Sequence, residues 1–361
     1  MAAPVVLAID GNSLVHRSYH AQAHTAAVTE GGRPNWAVRG LLTQLVAAVD
    51  RIGPSLVVVG FDDPSASTRR DTWPTYKANR SEKLETLVEQ LAGAVTVLRE
   101  LGVAVVVPPG LEADDVLAST AALARSAGGS TVIVTSDRDS FSLIDDTTSV
   151  LRIINGGVEA SPLLTPERLM LLLGVRPEQY RDFAALRGDP SDNLPGVRGI
   201  GPRSGAQLLA EFGSAQAAFD DLDGVRTRVG AGVAKRLAEP GAREAWALNC
   251  QIMTMRCDLE LGLDLTADCT GTLPLDAEAV SSTFHSLNLT WSLSDALRTL
   301  AHVEPATPRP PRTIATPWAS GSWSDPSRTF AEGSRPGHRA ARTRPKAPPS
   351  RPKVQQLSLF D

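Results

Sequence analysis

Nine acidic side chains fall at five places along this chain, and most stand directly behind a short apolar run. Asp10 follows Val5–Ile9 and Asp62 follows Leu56–Phe61. Glu112, Asp114 and Asp115 come after Val103–Val107 and a Pro108-Pro109-Gly110 stop, and Asp137 and Asp139 follow Thr131–Thr135. Asp189 and Asp192 lie further on. Two carboxylates about 4 Å apart repel by roughly 4 kcal/mol at an effective dielectric near 20. Seven or more brought into one cleft therefore need protons or cations. Oxygen donors with no histidine clearly among them suit hard ions, Mg²⁺ or Mn²⁺, better than zinc.

The elements that must position these acids can be read from the same runs. Each run is β-branched and short enough for a buried parallel strand. Between them lie helical patterns: Val38, Leu41, Leu42, Leu45 and Val49 after Trp36, and Leu84 through Leu101. A carboxyl-rich turn alone would be a helix start charged to suit the macrodipole. Four strands that each end in acid favour a shared site instead. Strands alternating with helices predict an α/β fold with a mostly parallel central sheet, and in such sheets ligands bind beyond the strands' carboxyl ends.

Other stretches fit an anionic ligand. Thr68–Arg80 contains Arg69, Arg70, Tyr76, Lys77 and Arg80 and a proline, which predicts a mobile surface segment able to bind phosphate. Gly196, Gly199 and Gly201 form a glycine-rich hairpin running into a helix with Arg203 and Ser204 in its first turn. Such a turn offers backbone N–H groups to phosphate without reading bases. His16, His20 and His24 are spaced to share one helical face. With no fourth ligand nearby, a surface or substrate-facing stripe is favoured there over zinc.

Composition bounds the rest. The 361 residues suffice for one large domain or two, and 42% hydrophobic with 21% charged residues is ordinary for a globular protein. Three scattered cysteines, Cys250, Cys257 and Cys269, predict neither a disulfide framework nor a zinc knuckle. No stretch approaches a membrane span and no secretion signal is evident, so a cytoplasmic protein is expected. The net charge of −4 divides unevenly. Residues 305–353 hold ten Lys and Arg against two acids, about +8, and eleven prolines; residues 1–304 hold 26 bases and 37 acids, about −11. The tail is expected to be disordered.

Six motifs in order carry a resemblance. Asp10-Gly11, Phe61-Asp62, Tyr76–Arg80, Glu112–Asp115, Asp137–Asp139 and Gly188–Asn193 resemble the 5′→3′ exonuclease and flap endonuclease family, as found in the N-terminal part of bacterial DNA polymerase I and in stand-alone phage nucleases. The similarity runs from about residue 3 to 265 and closes on Leu248–Met255. It implies a nuclease core with helical arch over 1–175, a helix–hairpin–helix DNA-binding region with closing helices over 176–304, a basic linker over 305–353, and a terminal peptide over 354–361. It also implies that Asp10, Asp62, Glu112, Asp114 and Asp115 gather one metal ion, and Asp137, Asp139, Asp189 and Asp192 a second. Lys77 and Arg80 match the catalytic basic residues of the arch. Arg17, Arg70, Tyr76 and the hairpin residues match DNA-binding positions, with K⁺ bound in the hairpin.

The implied activity is metal-dependent hydrolysis of DNA at a 5′ flap, nick or free 5′ end, with RNA–DNA hybrid a further substrate, in replication and repair. The enzyme is expected to be a nucleoid-associated monomer without a polymerase domain. Ser81-Glu82-Lys83 replaces the family's proline-rich turn, and His16 stands where an aromatic precedes Arg17. Gln356, Leu357, Leu359 and Phe360 resemble the peptide by which bacterial replication proteins dock on the β sliding clamp. Two alternatives stay open at this point. A non-catalytic DNA-binding module would not need nine carboxylates, and a related single-strand ribonuclease would lack the hairpin.

Overall fold

The computed structural model describes residues 3–304 apart from 26, 29–30 and 266. The basic linker and the clamp-like peptide lie outside the described residues. The chain opens with β1 (Val5–Asp10), whose apolar residues from Val6 to Ile9 are fully buried, and turns at once into α1 (Gly11–Gln22). The turn is tight enough to require glycine, since a Cβ on Gly11 would lie 2.4 Å from the Phe61 ring. Then follow α2 (Trp36–Ile52), β2 (Leu56–Gly60), α3 (Thr68–Thr72), α4 (Glu85–Glu100), β3 (Ala104–Val106), α5 (Ala113–Ser126) and β4 (Ser130–Thr135). The first half ends with β5 (Thr148–Arg152), α6 (Gly157–Ala160) and the short antiparallel β6 (Leu163–Leu164).

The sheet order is β3-β2-β1-β4-β5-β6, parallel throughout except for β6. The chain builds outward from β1 to β3, then returns to lay β4 on the other side of β1. This reversal splays the helices apart and leaves a crevice at the strands' carboxyl ends. All four acid-bearing strand ends face it.

Helices cover both faces. One core packs α1, α2 and α4 on Leu7, Ile9, Val57 and Val59. The other sets Ala8, Ile133 and Val150 against α7 (Pro166–Leu173), α8 (Pro177–Arg187) and, after the hairpin strands β7 (Gly188–Asp189) and β8 (Leu194–Pro195), α9 (Pro202–Phe212). Four short helices follow: α10 (Ala215–Asp220), α11 (Leu222–Arg228), α12 (Ala231–Leu237) and α13 (Ala242–Ile252). The hairpin region thus shares one core with the sheet.

The closing stretch also returns to the sheet. Gly271 donates to the Gly102 carbonyl and accepts from Val57, and Leu273 donates to the Ser55 carbonyl. Beyond it, α14 (Ala277–Ser286) and α15 (Leu293–Leu300) join the α2 and α4 core, so residues 271–300 buttress the sheet and stand apart from the hairpin region. Among the described residues no helix is long and apolar enough to cross a membrane.

Candidate active site

The strand ends open on a cleft of about 1510 Å³ walled by Asp10, Asp62, Glu112, Asp114, Asp137 and Asp189. Asp139 and Asp192 line a small adjoining pocket that shares Glu112 and Asp114 with it. Eight of the nine acids therefore surround one region, and several are fixed by a local device. Asp10 caps α1, accepting from Ser13 N at 2.9 Å, and its other oxygen accepts from Thr135 Oγ1 at 2.8 Å. Asp62 is held reciprocally with Asn12: the Asn12 side-chain amide donates to its carboxylate at 2.8 Å, and Asp62 N donates to Asn12 Oδ1 at 3.0 Å. Its other oxygen accepts from Ala113 N at the start of α5. Asp137 accepts from Asp139 N, and Asp189 from Ser191 N and Oγ.

Asp115 departs from the expected ligand set. Its carboxylate is fully buried away from the cleft, held by Arg69 at 2.7 and 3.0 Å, by Arg256 N at 2.8 Å and by Glu112 N at 3.2 Å. The helix explains the divergence, since adjacent residues on a helix point about 100° apart. Asp114 faces the cleft, and Asp115 faces the seam with the chain beyond α13. Arg69 also holds Glu112 Oε2 at 2.9 Å and the Thr254 carbonyl at 3.0 Å. Sequence reading passed over Asn12, Thr135 and Arg69 as partners of the acids. Only Asn12, two residues behind Asp10 at the same strand end, carried a positional hint.

The basic segment is docked on the site, and the mobility expected from its composition is not what the structure shows. Asn79 Nδ2 donates to the Pro190 carbonyl, Asn193 Nδ2 to the Thr75 carbonyl, and Arg80 pairs with Asp192. Tyr76 is buried and donates its hydroxyl to Glu112 Oε2 at 3.1 Å, so it supports the site from beneath and offers no surface to DNA. Lys77 Nζ lies 3.0 Å from Glu112 Oε1. Its backbone is left-handed at φ 56°, a conformation that costs a non-glycine residue about 1–3 kcal/mol, and its N–H is pinned to the Asp192 carbonyl at 2.9 Å. Arg17, bonded to Asn155, and the exposed Arg70 line the cleft, as do His16 and His20. His24 falls in a separate 3-10 turn, outside the cleft wall, because α1 ends at Gln22.

Charge is distributed unequally among the acids. Burial pushes the Glu112 carboxyl up, but Lys77 and Arg69 outweigh it and hold the group below its ordinary range. Asp10 is pushed up to about 7, chiefly by burial and further by Asp62 and Asp137, against the bonds from Ser13 and Thr135. Burial, then the charges of Asp137 and Asp10, raises Asp114 well above the usual value; burial with Asp137 and Asp189 does the same to Asp139. The negative charge left without a cation thus lies along Asp10, Asp114 and Asp139. An all-oxygen donor set with uncompensated charge fits a hard divalent ion. Among the described residues no three acid, histidine or cysteine side chains close around a single point. Of the five acids that the resemblance assigns to one ion, Asp115 is the one turned away from the cleft and held by Arg69. Mg²⁺ takes carboxylates either directly or through the waters it retains, so acids spread around a cleft can serve it.

Beside Asp189 and Asp192 the chain forms the expected hairpin between α8 and α9. It is tight: a Cβ on Gly196 would lie 2.2 Å from the Arg187 carbonyl carbon, so backbone crosses backbone there. Gly199 takes φ 79° at the tip. Asn249 of α13 donates to the Ala185 and Pro195 carbonyls and locks the hairpin to the closing helix. The Ser204 hydroxyl accepts from Gly201 N, so Ser204 serves the helix cap and is not free to bind phosphate. Arg198 and Arg203 are exposed at the tip and on the first turn of α9.

The sequence and the fold are similar to those of known proteins. The 5′-3′ exonuclease N-terminal, resolvase-like domain matches residues 5–170, and the 5′-3′ exonuclease C-terminal SAM fold matches residues 175–274. The chain belongs to the 5′-3′ exonuclease family. Its members are phosphodiester hydrolases, and the resolvase-like half coincides with the acid-bearing sheet. DNA polymerase I of Mycobacterium tuberculosis is 38% identical over 237 residues, which is 66% of this chain and 26% of the polymerase. Thermostable DNA polymerase I of Thermus aquaticus is 36% identical over 273 residues, 76% of this chain and 29% of that protein. The chain thus spans between a quarter and a third of the curated relatives it matches. Among solved structures, the T5 5′-exonuclease with divalent metal ions (zinc) bound is similar in fold, with TM-score 0.57 and 19% identity over 82% of this chain and 99% of that one. The catalytic core of Rad2 in complex with DNA substrate has TM-score 0.51 and 18% identity, covering 82% of this chain and 90% of that one.

Proposed function

We propose that the chain is a structure-selective 5′-nuclease that cuts DNA at or near a 5′ end or flap junction with Mg²⁺ or Mn²⁺. The observation that carries this reading is the row Asp10, Asp114 and Asp139, without cation partners, under a docked basic segment and beside a glycine-rich hairpin. When bound, two divalent ions supply an activated water and neutralise charge in the in-line transition state. Asp10, Asp62, Asp114 and Asp137 would hold one ion or its waters, and Asp139, Asp189 and Asp192 the other. Lys77 and Arg80 stand over this floor to orient the scissile phosphate and offset its developing charge. The hairpin holds the duplex by its backbone and fixes how far the strand end reaches into the cleft, with K⁺ a further ligand of the hairpin.

A magnesium-dependent assay on a 5′-flap DNA beside its RNA equivalent tests the reading. Cleavage of the flap DNA is expected; binding without cleavage would make the chain a DNA-binding module, and cleavage of the single-stranded RNA alone would make it a ribonuclease. The same assay with RNA-primed duplex tests primer removal. Arg203→Ala is expected to weaken flap binding and reduce the slope of log K against log salt by about 0.9, the loss of one phosphate contact, with turnover at saturation unchanged. Titrations at 50–200 mM salt measure it.

Outside the described residues, Gln356-Leu357-Ser358-Leu359-Phe360 is proposed as a docking peptide for the β sliding clamp, carried on a basic tether that slides on DNA without sequence preference. A contact of five residues is expected to be micromolar in order, because ordering the segment offsets much of its gain. Its effect then comes through effective concentration at the nick. Replacing Leu359 and Phe360 by alanine should abolish clamp binding by calorimetry and leave cleavage of free flap oligonucleotides unchanged. No heat of binding from the unmutated protein would rule the motif out. Monomeric action at the nucleoid completes the proposal.

A further inference from the structure

The cleft is not uniformly acidic. Away from the carboxylate floor its wall is built from α1 and from the segment after Arg80, and it carries His16, Arg17, His20 and Lys83. The cations Arg17 and Lys83 differ from those over the floor. Arg69, Lys77 and Arg80 are each engaged by a carboxylate, whereas Arg17 is bonded only to the neutral side-chain amide of Asn155. Lys83 is exposed and makes no ion pair among the described residues, although Glu82 lies beside it. In a body whose net charge is about −11, cations gathered in a cleft without carboxylate partners mark a place for an anion from outside. Burial, then Lys83, His20 and Arg80, lowers the His16 imidazole to about 4, so His16 stands at this wall as a neutral hydrogen-bonding group beside the cations Arg17 and Lys83.

The anion can be narrowed by charge and position. An internal phosphodiester carries one charge. A terminal monophosphate carries about −1.5 to −2 and three acceptor oxygens at neutral pH. Next to Asp10 and Asp114 that extra charge would be repelled, and at the wall it is attracted, so the cleft's polarity sorts a strand end away from the acids. Val88, half-exposed on the same cleft, gives a terminal base an apolar surface to lie on. We propose that His16, Arg17 and Lys83 form a subsite for the terminal 5′-monophosphate of the strand being cut, so that phosphorylated ends are preferred. This deepens the nuclease reading and rests on it.

The test compares otherwise identical duplexes with recessed or short-flap 5′ ends carrying either a phosphate or a hydroxyl. The full chain is expected to cut the phosphorylated end about fivefold faster at limiting substrate, the worth of one exposed charge pair. Lys83→Ala should bring that ratio to within twofold by slowing the phosphorylated end alone, His16→Ala should reduce it, and Lys83→Arg should retain it. Anisotropy in EDTA provides a second measurement that needs no catalysis, with the phosphorylated oligonucleotide bound about fivefold tighter by the unmutated protein and by Lys83→Arg, and not by Lys83→Ala. Equal rates and affinities for the two ends would overturn the subsite, and a preference that survives both alanine variants would overturn its location. Absence of cleavage on every substrate would instead count against the nuclease reading, while the EDTA binding arm still decides on the phosphate.

Discussion

Asp114→Asn should reduce cleavage of a 5′-flap substrate by at least about 10³-fold, the size expected when the charge that organises a transition state is removed. It should leave flap affinity unchanged or raised. Asp114 lies at the first turn of α5 where the cleft and its adjoining pocket meet, and burial with Asp137 and Asp10 lifts its carboxyl well above the ordinary range. A group in that condition is useful to a cation and harmful to the empty protein. The isosteric amide removes one charge from a cleft that must receive a polyanion, so binding does not suffer. It also removes repulsion, so the metal-free variant should unfold at a higher temperature than the unmutated protein, each 1 kcal/mol being worth roughly 2–4 °C.

The pH dependence follows from the same groups. Asp10, Asp114 and Asp139 all have folded values above their unfolded ones, so their stabilising contribution is complete in acid and is lost as pH rises through the folded value, about 7 for Asp10. Metal-free protein should therefore melt lower at pH 8 than at pH 6, and Mg²⁺ should restore more stability at pH 8. Thermal unfolding in EDTA and in Mg²⁺ at the two pH values, with single-turnover cleavage and anisotropy, measures all of this. Full cleavage by Asp114→Asn would remove Asp114 from the metal site, and a melting temperature independent of pH and Mg²⁺ would deny the uncompensated charge.

The part of this site written in the sequence is the part set by short-range rules. Val5–Ile9 and Leu56–Val59 are apolar on both faces, so they had to be central strands, and a strand that ends in Asp places that acid at the sheet's carboxyl edge. Position along a helix was less legible. Asp114 and Asp115 look equivalent in sequence, and what separates them is Arg69, 46 residues away, together with the Arg256 N–H beyond α13. Composition misled in the basic segment. Charge, an aromatic and a proline suggest a mobile loop, but Asn79, Asn193 and the Lys77 N–H tie it to residues 190–193 through backbone partners that no pattern of side chains reveals. The same is true of residues 271–273, which add hydrogen bonds to the edges of the sheet without strand-like periodicity.

Lys77→Ala should lower single-turnover cleavage by about 10²–10³-fold while changing flap affinity by less than threefold. Two features make Lys77 unlike the other cations of the cleft. It is held in a left-handed backbone by the Asp192 carbonyl, a strained placement that sets its ammonium against Glu112 at 3.0 Å. Its ammonium lies 4.7 Å from the Tyr76 ring centroid, a face that limits where the long side chain can go. A cation fixed in this way acts on charge that develops over the floor, and one contact among many contributes little to ground-state affinity for a polyanion. Glu112 keeps Arg69 and the Tyr76 hydroxyl after the substitution, so the floor stays in place and the loss can be assigned to the missing ammonium. Lys77→Arg should recover part of the rate, because the charge returns on a planar group that cannot reproduce the point contact. Arg203→Ala, on the hairpin helix, should show the opposite pattern of weaker binding and normal turnover. If Lys77→Ala and Arg203→Ala lowered affinity and rate in the same proportion, chemistry at the basic segment and grip at the hairpin would not be separate functions of this fold.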